Sequence, residues 1–138
     1  MIPTGTSTLS NDITDEIIYK TQPNYTYKLN IESERVASYV DELEAYKQAE
    51  YKIINTERYD HLIYSWNYGV ELKELFGLPL SYVIPEIEQR ITEAVMQDDR
   101  TVAVYGFEFE EVKKGILHVT FNCKSTLGTI TMSRTVEY

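Results

Sequence analysis

The side chains with most chemical potential in this chain are its 22 carboxylates, two histidines and one cysteine. Two carboxyl groups at a set separation, one of them in an apolar pocket, hydrolyse glycosidic bonds. Glu108, Glu110 and Glu111 are the densest acids, but acids along a strand ordinarily form its solvated face. His61 and His118 have no second His or Cys at metal-ligand spacing, and both read as structural. Ser65 and Ser133 lack the nucleophile-elbow context. The six glycines stand singly, so no phosphate-cradling loop is formed. No run matches a calcium loop. Cys123 alone makes neither an internal disulfide nor a multi-Cys zinc site, and suits a reducing cytoplasm. These residues predict no catalytic centre, no cofactor and no metal.

One triplet stands apart. Asp98-Asp99-Arg100 follows an apolar helical stripe and directly precedes a strand. An acid at a helix C-terminus opposes the macrodipole, whereas arginine complements it. Two acids there fit an Asp–Arg pair fixing the corner, a docking point for a partner, or a plain polar loop.

The elements that must position this triplet follow from periodicity. Ile84, Ile87, Ile91, Ala94 and Val95 form one stripe, predicting a helix over 83–97 with Pro85 in its first turn. An earlier helix is expected over 42–55. Asp41 is its N-cap, Glu44 completes a capping box, and Val40, Leu43, Tyr46, Ala49, Ile53 and Ile54 lie on the apolar face. Between them, 70–76 suits a short helix, and Gly69 closes a turn with positive φ. Tyr25 to Ile31 alternates as a half-buried strand, with a second short strand over 36–39. The last 38 residues read as an antiparallel meander: 101–112, 116–124 and 129–138. Leu117, Val119, Phe121 and Cys123 share one face of its second strand. Ile130, Met132, Val136 and Tyr138 share one face of its third.

Composition bounds the rest. A chain of 138 residues with 43% hydrophobic content is most simply one folded domain. Residues 25–138 are expected to form it. Residues 1–24, rich in Thr, Ser, Asn and Asp, are expected to be an extended arm that orders on a neighbouring subunit; they lack the basic and apolar regions of a secretory signal. The net charge of −9 disfavours nucleic acid and anionic membranes and suits a basic protein surface. No run reaches membrane-span length. Twelve tyrosines suit either strands or interfaces.

Two motif groups resemble a known family. One is QAEYKIINTERYDHLIYSWNYGVEL, residues 48–72. The other is IEQRITEAVMQDDRTVAVYGFEF, residues 87–109, followed by GILHVTFNCKSTLG. Together they resemble the small tail proteins of PBSX-like prophages and contractile bacteriocins. That group is related to the sheath-initiator, or baseplate-wedge, family of contractile phage tails. The resemblance spans roughly residues 25–136. It implies an α+β fold, two main helices on a small, mostly antiparallel sheet, similar to the handshake domain of tail sheath proteins. In the wider family a Glu-Pro-Arg triplet closes the helix; here Asp98, Asp99 and Arg100 stand at those positions, without the proline. The resemblance implies a structural baseplate component, not an enzyme, that templates the first sheath ring by strand addition. Implied partners are the sheath protein, baseplate wedge proteins and an inner tube or hub protein. The setting is a ring-like, multi-copy particle built in the host cytoplasm. Glu57, Arg58, Trp66, Tyr68, Asp98, Asp99, Arg100, Ile130, Met132, Arg134 and Val136 are the assembly residues it suggests. The rival is a small peptidoglycan-degrading glycan hydrolase, since some family members carry a lysozyme label.

Overall fold

The computed structural model describes residues 23–138, so the expected arm lies outside them apart from Pro23 and Asn24. Element order is β1 (Thr26–Asn30), β2 (Arg35–Val40), α1 (Glu42–Ile54), α2 (Leu80–Val95), β3 (Thr101–Lys113), β4 (Ile116–Ser125) and β5 (Gly128–Glu137), with one 3-10 turn at Lys73–Leu75. Two helices and two antiparallel sheets make an α+β fold.

The meander forms as its alternation requires. β4 lies between β3 and β5. Its residues Leu117, Val119, Phe121 and Cys123 point at the helices, and Ile130, Met132 and Val136 of β5 point the same way. Tyr46, Ile53 and Ile54 of α1, and Val83, Ile87, Ile91, Ala94 and Val95 of α2, complete this core. Each large aliphatic buried there contributes about 1.5–3 kcal/mol. Glu108, Glu110 and Glu111 are exposed, as expected of a solvated face.

Four expectations change. Helix α2 begins at Leu80, so Pro85 sits in its second turn and Val83 joins the stripe while Ile84 is only half-buried. Asp41 does cap α1, but its carboxylate accepts from Glu42 N at 2.7 Å, so the capping-box bond is not made. The segment 70–76 yields only the 3-10 turn. Val70 is the reason: it bridges Glu57 in parallel, its N–H donating to Thr56 O and its C=O accepting from Arg58 N, so that carbonyl is taken before a first helical turn can use it. Glu57 Oε1 instead caps the short turn, accepting from Leu72 N and Lys73 N.

The fourth concerns β1 and β2, which among the described residues pair only with each other. A bulge between Tyr27 and Leu29 breaks their register. The Gln48 side chain of α1 spans the bulge, accepting from Leu29 N and donating to Tyr27 O, both at 2.8 Å. A lone two-stranded ribbon needs such docking to persist. Tyr25, Tyr27 and Tyr39 are exposed, their rings stacked at 5.0 and 5.1 Å, rather than half-buried in one sheet.

Gly69 takes the expected positive φ, +92°. A β-carbon there would sit 2.5 Å from the Thr56 carbonyl oxygen. Gly69→Ala is expected to lower stability by at least about 2 kcal/mol, read as a fall in the urea midpoint.

Candidate functional site

The corner between α2 and β3 is built from the chain outward. Helix α2 ends in a tight turn in which Asp98 N donates to Val95 O and Thr101 N to Asp98 O. This aims Asp98 inward and leaves Asp99 exposed. Arg100 folds back on Asp98: Nε and the backbone N donate to Oδ1, both at 2.9 Å, and Nη2 to Oδ2 at 2.5 Å. Its Nη1 donates to Asn24 Oδ1 at 2.9 Å, and its plane lies 5.4 Å from the Tyr46 ring centroid. The Asp98 side chain is 8% exposed. Burial alone would raise its pKa, but the hydrogen bonds and charge of Arg100 hold it below the usual carboxylate range.

Behind this pair sits a residue that sequence reasoning missed. Glu50 of α1 is fully buried. Thr101 Oγ1 lies 3.4 Å from its Oε1, and its Oε2 has no hydrogen-bond partner among the described residues. Burial first, and the neighbouring Asp98 charge second, push its carboxyl up to about 8. Tyr46 OH shares a 2.8 Å hydrogen bond with Thr101 Oγ1 and is also driven upward by burial. Cys123, one strand over, is pushed up to about 12, first by burial and then by Glu50. The signal was present: Tyr46, Glu50 and Ile54 follow at intervals of four, so the helix places Glu50 on the core face.

A raised carboxyl near a second acid is the arrangement a glycosidase general acid uses. Glu50 does not serve that chemistry, because 0% of it is open to solvent and no glycan reaches it.

Outside the corner, an open groove of about 960 Å³ runs past Asn24, Tyr68, Gln97, Asp98, Asp99 and Arg100. Thus Tyr68, Asp98, Asp99 and Arg100 of the expected assembly set do come together. The others do not join them. Glu57 is spent on the backbone of Leu72 and Lys73. Arg58 donates to Gly69 O at 3.2 Å and to Glu93 Oε1 at 3.1 Å, so it ties its own loop to α2. Ile130, Met132 and Val136 are core side chains; apart from the part of Met132 that lines a groove beside the strand, β5 offers its backbone for pairing. Arg134 is half-buried on the same inner face, with Nη1 lacking an acceptor among the described residues. Trp66 stands exposed on the loop before Tyr68.

The sheet supplies a second feature. Both β3 and β5 have an outer edge that pairs with no strand among the described residues. The turn between β4 and β5 has two residues, with Ser125 opposite Gly128. Such a turn makes that pair hydrogen-bonded, and pairing then alternates. The N–H and C=O groups of Thr129, Thr131, Ser133 and Thr135 are therefore directed at the open edge. Ten consecutive β4–β5 pairs run without a bulge. In contrast, β3 shifts register three times and carries Glu108, Glu110 and Glu111, devices that blunt an edge. Beside β5 lies a groove of about 260 Å³ lined by Leu29, Ile31, Val40, Tyr51 and Met132, among others.

A small α+β body with an open, regular strand edge and a structured polar corner is the build of an assembly protein. The chain belongs to the contractile injection system sheath initiator family, whose model matches residues 20–128. It is similar to the Phage-like element PBSX protein XkdS of Bacillus subtilis (strain 168), at 35% identity over 130 residues, covering 91% of this chain and 89% of that protein. Membership gives it a structural role in a contractile tail. Among the described residues no helix is long and apolar enough to cross a membrane.

Proposed function

We propose that this protein seeds the first ring of tail sheath by accepting an extended segment of a sheath subunit along β5, and joins that ring to the baseplate wedge through Asp99 and the groove beside Asp98, Arg100 and Tyr68. The carrying observation is the unbulged outer edge of β5 beside an apolar groove. Main-chain pairing supplies affinity, and the groove receives alternate side chains of the added strand. Residues 25–138 act as one body. Several copies stand in a ring on the baseplate, around the inner tube or hub, and the particle is built in the host cytoplasm. No catalytic turnover is involved.

The test removes edge donors without touching the β4 ladder. Thr131→Pro with Ser133→Pro deletes two outward N–H groups, and proline is tolerated on a strand whose N–H faces solvent. The variant is expected to keep its helical and sheet circular dichroism and to enter baseplates. Electron microscopy should then show tubes without sheath. Sheath of normal length on baseplates carrying the variant would refute strand addition at β5.

A further inference from the structure

The loop from Arg58 to Gly69 gives Tyr68 to the corner groove, and beyond it presents side chains that neither the sheet edge nor the corner uses. Its ends are pinned: Val70 N donates to Thr56 O at 2.9 Å and Arg58 N to Val70 O at 3.2 Å. Its interior is also organised. Tyr64 N donates to His61 O, Tyr68 N to Ser65 O, and the Tyr64 and Tyr68 rings stack at 4.4 Å. Asn67 Nδ2 donates to Gln97 Oε1 at 3.1 Å, and Arg58 bonds Glu93, so α2 holds the loop from below. This is a compact loop with close ends and a fixed path, of the kind that carries function. What it holds up is apolar: Leu62 is 102% exposed, Ile63 86% and Trp66 76%, and Tyr59 of the same loop is exposed too. Several large apolar side chains exposed on one ordered loop mark an interaction site.

Charge decides what fits it. Residues 57–100 hold nine carboxylates against four basic side chains. Every one of those four is already paired: Arg58 with Glu93, Lys73 with Asp60, Arg90 with Glu86 and Glu74, Arg100 with Asp98. Glu88 and Asp99 are exposed with no cation partner among the described residues. This stretch therefore carries a net negative charge, in line with the −9 of the whole chain. A second copy would bring acid against acid, and an anionic bilayer would be repelled.

We infer that the loop 58–69 docks a segment of another polypeptide in which aliphatic or aromatic side chains are flanked by lysine or arginine. Leu62, Ile63 and Trp66 supply the buried centre, and the carboxylates supply the rim that selects the partner's sign. This inference stands apart from strand addition at β5; either can fail while the other stands.

Trp66 is the chain's one tryptophan, so its fluorescence reports the loop directly. The probes are three synthetic peptides sharing one Leu- and Phe-containing centre, flanked by Lys, by Glu or by Ser, together with phosphatidylcholine and phosphatidylglycerol vesicles. The Lys-flanked peptide is expected to shift Trp66 emission to the blue saturably and to protect it from acrylamide, with an affinity that falls as salt is added. Leu62→Ser with Ile63→Ser is expected to weaken that binding at least about tenfold. These side chains touch solvent, so the variant's melting curve should match the wild type and show that it folds. Equal binding of the Glu-flanked peptide, a response to vesicles alone, a concentration-dependent shift without probe, or no shift with any probe would each overturn the inference.

Discussion

Arg100→Ala is expected to lower the stability of the folded chain by about 3–5 kcal/mol, the range for removing one partner of a buried ion pair. The loss does not come from the salt bridge alone. Asp98 is almost closed to solvent and takes three hydrogen bonds from Arg100. Without the guanidinium it would be a buried charge with Glu50 beside it and no cation. Asn24 would also lose its donor, and the Tyr46 ring the cation over its face. Resemblance alone would cast Arg100 as a surface contact whose removal spares the fold; its inward bonds say otherwise. Arg100→Lys restores charge but not the planar fork, so its urea midpoint should fall between the two. A midpoint for Arg100→Ala equal to wild type would show that Asp98 is not held this way. For wedge docking the informative change is Asp99→Ala, because Asp99 is exposed and its loss leaves the corner intact.

What the sequence revealed depends on the range of the interaction concerned. Periodicity is local, so the stripe from Ile87 to Val95 and the alternation of β4 and β5 were legible. The triplet Asp98-Asp99-Arg100 was legible as a corner, but not that one acid turns inward and its neighbour outward. That difference follows from the path of the turn after α2 and from the fold-back of Arg100, which Asn24, far away in the chain, also holds. Glu57 and Arg58 looked like contact residues because they are charged and sit in a motif. Their partners, the backbone of Leu72 and Lys73 and the Glu93 carboxylate, appear only once the loop has closed on α2. Ile130, Met132 and Val136 show the converse. Their alternation announced a strand with one apolar face, and the same face fills the core. The open edge of β5 belongs to backbone groups that carry no sequence signal at all.

The buried carboxyl makes the largest pH effect. Glu50 has an ordinary pKa near 4.5 in the unfolded chain and about 8 in the folded one. Between those values the folded state holds a proton that the unfolded state has released, so stability must fall as pH rises. The contribution is zero below about pH 4.5 and complete above about pH 8, and amounts to on the order of 5 kcal/mol. The groups facing Glu50 do not cancel it in that window. Asp98 titrates below the usual range, so the stability it gains from Arg100 is lost only as pH falls through that lower value. Cys123 titrates near 12, and Tyr46 is displaced upward as well. Glu50→Gln replaces the acid with a neutral group of the same shape and binds no proton in either state. Its urea midpoint should match wild type near pH 4.5 and exceed it increasingly up to pH 8, with a flat profile where wild type slopes. Parallel profiles for the two proteins would mean that Glu50 is charged in the folded state and that Arg100, not a retained proton, neutralises it.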